Sequence, residues 1–260
     1  SLFSLFLFPV FFKIQKKYLL DLLLIFLSLI YFLTIILSGN RMPLLLFVFS
    51  FFLLLLLERN LRKLFIPLVL IFIISFVSIF KFNPDVNSNF KNFYILIKKT
   101  ALVFMPNYNQ SVSALGHVKE FQSFYYTWQM NKYIGGGIKT FRSNCHNRKN
   151  IKSIIVPGTG GKFICNTHPH NYYLHILTEL GLVGLIILLV IFFKTLYLSL
   201  KKKFSKFTNL RSRYIISPFI LTFFIEIFPL KSTGGFFTTS NATFIFLILS
   251  FTIALSINKN

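Results

Sequence analysis

The chain is short of charge, and above all of acid. Only 13% of its 260 residues are charged, and six Asp or Glu face 28 Lys or Arg. A soluble domain carries about 25% charged residues, so a surface wetted on all sides is excluded. The opening segment lacks the basic n-region and small-residue cleavage site of a signal peptide. No internal repeat is present, which excludes a solenoid. The stretches between apolar runs hold no Asp-x-Asp or other acidic pair, so no divalent cation is called for there. Cysteine is limited to two residues, enough for one bridge and no more. The net charge of +22 suggests nucleic acid at first sight. The basic residues, however, sit between apolar runs, where membrane topology and anionic headgroups account for them.

What the chain does have is apolar sequence in long unbroken runs, with mean hydropathy +0.69. Such runs read as lipid-facing helices, because lipid offers no partner to unpaired backbone groups. The expected spans are residues 1–12 (partial), 18–37, 42–57, 64–80, 172–193, 214–230 and 242–257. The first residue is Ser1, inside an apolar run, and the sequence reads as a fragment whose earlier spans are missing. One set of short loops holds fourteen Lys or Arg and the opposite set only Arg41 and Lys231. The basic set is assigned to the cytoplasm.

This predicts an all-α polytopic membrane helix bundle with about six to seven spans. Its expected organisation is truncated spans over 1–80, one large extracytoplasmic loop over 81–171, and C-terminal spans over 172–260. The loop carries twelve basic residues and two acids, but long loops escape the charge rule. Within it, Val118, Phe121, Tyr125 and Trp128 have helical spacing and predict a short helix lying at the membrane interface, broken by the run Gly135, Gly136, Gly137.

The strongest motif is HPHNYYLHILTELGLVG, residues 168–184. A helix is expected to start near His170 and Asn171, with Asn171 as N-cap, which places His170 at a helix N-terminus that favours anions. His175 and Glu179 share a helix face. Gly181 and Gly184 form a small-residue pattern suited to close helix packing. Two readings stay open. The histidines are interfacial polar groups and Glu179 a satisfied buried acid, or Glu179 marks function, as an acid within a membrane helix does by default. A metal site from His168, His170, His175 and Glu179 fits no standard zinc spacing. Asp21 and Glu226, in or near spans, admit either a proton path or simple polar pairing. The string PGTGGK, residues 157–162, lacks the spacing and the Ser or Thr of a phosphate loop.

The string opening at His170 resembles the signature of the O-antigen ligase and polymerase superfamily. There a His-Asn pair opens a membrane helix that continues as Leu-x-x-Leu-x-Glu-x-Gly-x-x-Gly, here His170, Asn171, Leu174, Leu177, Glu179, Gly181 and Gly184. SGNRMPLLL is similar to the family's short outer loop, whose Arg is Arg41. NKYIGGGIKTFRSNC and FPLKSTGGFF resemble, in turn, the Gly-rich stretch before the His motif and a later outer loop. Many relatives carry an Arg before the aromatic helix. This chain reads GHVKEF there, so His117 or Lys119 substitutes, or Arg142 takes the role.

The resemblance implies an inverting, metal-independent glycosyltransferase without cofactor, acting at the periplasmic face of a bacterial inner membrane. The donor it implies is a glycan on polyprenyl diphosphate, and the acceptor a lipid A-core. His170 would be the catalytic base, and Arg41, Arg142, His117, Lys119, His168 and Asn171 would bind donor. Glu179, Gly181 and Gly184 would support them. The alternatives are a polymerase extending the lipid-linked glycan and, from another class, a transporter or flippase. The latter is disfavoured because polar residues gather at one surface instead of along the spans.

Finally, Cys145 and Cys165 both fall in the loop assigned to the oxidising side, so a disulfide between them is expected. It would tie the segment after Arg142 to the one before His168 and His170.

Overall fold

The computed structural model describes residues 17–58, 62–63, 65–103, 116–145, 147, 165, 170–205, 208, 210–229, 231 and 234–257. Among these residues the chain is all-α. Its helices are α1 (Lys17–Leu37), α2 (Arg41–Leu57), α3 (Phe65–Phe82), α4 (Pro84–Val103), α5 (Gly116–Trp128), α6 (Phe141–Cys145), α7 (Tyr172–Phe204), α8 (Leu210–Glu226) and α9 (Thr239–Ile257). Six of them coincide closely with the apolar runs. The seventh run, residues 1–12, lies outside the described residues, as do His168 and the PGTGGK string.

Length and composition let α7 and α9 cross a membrane, and α3 with α4 makes a third candidate, bent by 105° between Ile66–Phe82 and Pro84–Ile95. That pair is either a broken span or a re-entrant loop. The apolar stretches of α1, α2 and α8 are shorter than a full crossing, over Leu22–Leu37, Arg41–Leu57 and Ile215–Glu226. Among the described residues the structure therefore supports two to three spans by this measure, short of the six to seven expected.

A second difference concerns residues 81–171, expected as a loop with one short helix. Where described, the segment is largely helical, through α4, α5 and α6. The start of α4 is built locally. Asn83 Oδ1 accepts the Val86 N–H at 3.1 Å, Pro84 takes the first helical position, where its missing N–H costs nothing, and Asp85 faces the positive end of the helix dipole.

The chain divides into two compact units. The first comprises residues 1–98, 196–226 and 250–260. In it α1, α2 and α3 pack together and α2 also meets α8. Phe32, Ile36, Phe47, Phe51, Leu54, Leu68, Phe72 and Val86 form the core. The Phe72 ring stacks on Phe32 at 4.3 Å and meets Phe47 and Phe51 edge-on, both at 5.7 Å. The C-terminal end of α2 carries a buried ion pair. Glu58 accepts from Lys203 Nζ and from Ser217 Oγ, the latter at 2.5 Å, and Lys203 also donates to the Arg213 carbonyl at 3.0 Å. The second unit comprises residues 99–195 and 227–249 and contains the His-Asn motif.

Candidate functional site

The start of α7 is fixed from several directions. Asn171 caps it, its Oδ1 accepting the Leu174 N–H at 3.1 Å. The Nδ2 of the same side chain donates to the Pro229 carbonyl at 2.7 Å. Tyr173 donates its hydroxyl to the Ile227 carbonyl. The helix start and the turn after α8 therefore hold each other. His170, just outside the cap, is half-buried and sits at φ 52°. That left-handed conformation is uncommon for a residue with a Cβ, and it turns the chain sharply into the helix.

One turn further on lies a buried polar network. His175 Nε2 is 3.1 Å from Glu179 Oε1, and both side chains are almost wholly excluded from solvent. His175 Nδ1 is 3.0 Å from the backbone N–H of Phe236. A backbone N–H only donates, so Nδ1 must accept, and the ring proton belongs on Nε2, where it faces the carboxylate. The second oxygen of Glu179 accepts the backbone N–H of Lys139 at 2.7 Å. Glu179 is thus the satisfied buried acid that one of the two readings expected, one oxygen facing His175 on its own helix and the other the Lys139 backbone. Phe237 and Phe124 meet the imidazole edge-on, at 5.2 and 6.3 Å. They wall the network with apolar surface, which strengthens bonds inside and makes any lost partner costly.

Two residues beyond Glu179 the helix breaks. Gly181 has φ 67° and ψ −168°, so the carbonyls before it and the N–H groups after it lose their helical partners. The Gly-rich segment supplies replacements. Gly136 N–H donates to the Thr178 carbonyl at 3.1 Å and Gly137 N–H to the Glu179 carbonyl at 2.9 Å. In return, Leu182 N–H donates to the Lys132 carbonyl at 2.9 Å and Val183 N–H to the Tyr133 carbonyl at 3.0 Å. Backbone meets backbone so closely that a Cβ on Gly135 would strike the Glu179 carbonyl, and one on Gly181 the Tyr133 carbonyl. The glycine of the motif therefore admits a loop, where helix-on-helix packing was expected. The Gly run likewise does not end the aromatic helix, because α5 stops earlier, at Trp128.

Behind this loop Phe124 of α5 stacks on Phe141 of α6 at 3.6 Å. These residues and Cys145 form a small core against which Cys165 packs. Cys145 and Cys165 are joined as a disulfide with Cα atoms 5.8 Å apart. Ser123 Oγ lies 3.5 Å from Cys145 Sγ.

The second unit thus brings together His170, Asn171, Glu179, Gly181, Gly184 and both cysteines. The backbones of His117 and Lys119 run in α5 and that of Arg142 in α6. Arg41 belongs to the first unit, at the first turn of α2, with its guanidinium 5.3 Å from the Phe93 ring. Among the described residues no three His, Cys, Asp or Glu gather as a metal-binding group. Sequence reasoning missed the Lys139 and Phe236 backbone N–H groups, which complete the Glu179 and His175 network. A backbone donor leaves no mark in the identity of its residue. The left-handed Lys139, φ 62°, is unmarked too, since lysine has no preference for that region.

No curated protein and no solved structure matches the chain. A family model described as O-antigen ligase does match, over residues 26–189. The match runs from α1 to beyond the Gly181 break, so it takes in Arg41, the Gly-rich loop, both cysteines and the His-Asn motif. With most of its length matched and the motif residues built into one compact unit, the chain belongs to the O-antigen ligase family.

Proposed function

We propose that the chain transfers a glycan from a polyprenyl diphosphate donor to a lipid A-core acceptor at the periplasmic face of the inner membrane. Family membership supports a membrane glycosyltransferase acting on lipid-linked glycans. The observation that carries the finer reading is His170, held at φ 52° just outside the capped start of α7. The acceptor hydroxyl attacks the anomeric carbon as the bond to the diphosphate breaks, inverting that centre. The hydroxyl proton passes to the His170 imidazole, a general-base role worth roughly 10²–10⁴-fold in rate. Negative charge builds on the departing diphosphate, and Arg41, Arg142, His117, Lys119 and His168 are the basic groups assigned to it, Arg being suited to bidentate phosphate recognition. Asn171 is assigned to the donor through its place in the motif; its side chain also caps the helix. The chemistry proposed needs no metal.

His170→Ala should abolish transfer while the protein accumulates in the membrane at its normal level. Full transfer by that variant would remove the central claim. The glycolipids of a strain lacking the gene separate the acceptors. Free core with accumulated lipid-linked polymer fits a ligase, and core bearing a single repeat unit fits a polymerase.

A further inference from the structure

The break at Gly181 divides α7 into pieces of unequal character. After it come residues 182–200 ahead of the lysine run, which at about 1.5 Å per residue cover roughly 28 Å, close to the ~30 Å of a hydrocarbon core. Length and composition make this piece a candidate to cross a membrane with little help from the residues before the break. Exposure changes at the same point. Of residues 172–180 none is exposed, and Tyr172, His175, Ile176, Thr178 and Glu179 are buried. From Val183 onward one side of the helix is bare and apolar, through Ile186, Ile187, Val190 and Phe193. The lipid-facing side thus begins within a turn of Gly181, which marks the height of the membrane surface on this unit.

The Gly-rich loop is fastened at that height. The Val183 N–H, on the first lipid-facing residue, is bonded to the Tyr133 carbonyl, and the Leu182 N–H to that of Lys132. The loop nevertheless presents large apolar side chains outward. Tyr133 is 71% exposed, Ile134 78% and Ile138 58%. Lys132 and Lys139, both exposed, flank them. On α5, Phe121 and Tyr125 are exposed four residues apart.

We propose that residues 130–139 are a membrane-seating element. Tyr133, Ile134 and Ile138 enter the bilayer at its surface, and Lys132 and Lys139 extend to anionic headgroups. Three observations favour lipid as the occupant. The segment is hydrogen-bonded to the point where a membrane helix becomes lipid-facing. Its composition, exposed apolar residues flanked by exposed lysines, is that of an interfacial segment, in which lysine stems follow apolar surface and their charges reach headgroups. Ile134 and Ile138, finally, offer no flat face for a sugar to stack on. The consequence is positional: the His170 end of α7 stands clear of the hydrocarbon, on the water side of a ledge that rests on it.

The chain has one tryptophan, which makes the test direct. In a Trp128→Phe background, Ile134→Trp is placed in vesicles of phosphatidylethanolamine and phosphatidylglycerol, with and without lipid brominated high on its acyl chains. Val190→Trp, on the lipid-facing side of α7, sets the scale for a buried probe. The proposal expects a blue-shifted emission from Ile134→Trp that loses intensity in brominated lipid. Emission quenched by iodide and untouched by brominated lipid would place the loop in water and overturn it. Emission reached by neither quencher would mean that protein covers the loop, a second copy included, and would overturn it equally.

Discussion

Gly135→Ala is the substitution that the structure penalises most clearly. Gly135 has φ 72°, and its missing Cβ faces the Glu179 carbonyl, backbone that has no room to retreat. A left-handed conformation costs an alanine roughly 1–2 kcal/mol. The collision adds to that. Relieving it means moving the loop off α7, which puts the four backbone hydrogen bonds across the break at risk, each worth about 1 kcal/mol net. The expected loss is about 3–5 kcal/mol if most of those bonds go. The neighbouring Gly136 is the internal reference. Its φ is not in the left-handed region, and its Cβ would meet the side chains of Asn144 and Thr140, groups able to swing away. Gly136→Ala should therefore cost much less. Reversible unfolding of both variants and the parent in mixed detergent micelles measures the difference. If Gly135→Ala proves as stable as Gly136→Ala, the break is not held by this loop, and the account of Gly181 fails with it.

Other outcomes follow from the same geometry. Glu179→Gln keeps the shape but turns an amide donor toward either the Lys139 N–H or the His175 Nε2–H, both themselves donors. It should destabilise by about 1–3 kcal/mol and lower transfer activity; parental stability in micelles would contradict the assigned tautomer. Cys145→Ser opens a bridge spanning 20 residues in sequence, and the chain-entropy model gives about 3 kcal/mol for a loop of that order. Peptide mapping without reductant should find Cys145 and Cys165 linked in the parent, and free thiols at both would refute the bridge. Glu58→Ala strands Lys203, itself buried, and should cost about 3–5 kcal/mol. Glu58→Ala with Lys203→Met should recover much of that in the same unfolding assay.

The helices were legible where the chain is apolar. The run at 42–57 became α2 from Arg41 to Leu57, because in such a stretch hydrophobicity and backbone self-sufficiency point the same way. The His175 and Glu179 pair was legible for a comparable reason, since four-residue spacing brings side chains together on any helix. The cap at Asn171 was likewise readable from its type and place. Polar helices were not. Residues 84–103 carry Lys91, Lys98 and Lys99, so no apolar run marks the helix, although Asn83, Pro84 and Asp85 spell a helix start. Gly181 reads as a packing glycine because a glycine needed for its φ looks the same in sequence as one needed for its size. What decides between them is Gly135, brought against it only by the fold. Arg41 and Arg142 stand out by chemistry and resemblance alone.

The ion pair at the end of α7 has a consequence in time. Lys203 belongs to the run Lys201, Lys202, Lys203, whose charge would bias the orientation of a helix as it enters a membrane. At that stage the lysine is hydrated and counts in full. In the folded bundle it is buried, donating to Glu58, which also accepts from Ser217, and to the Arg213 carbonyl. One side chain would thus serve first as an orienting charge and, in the folded bundle, as a latch between helices far apart in sequence. A change that spares the first role and removes the second, such as Glu58→Ala, should leave insertion intact and weaken only the closing of the bundle.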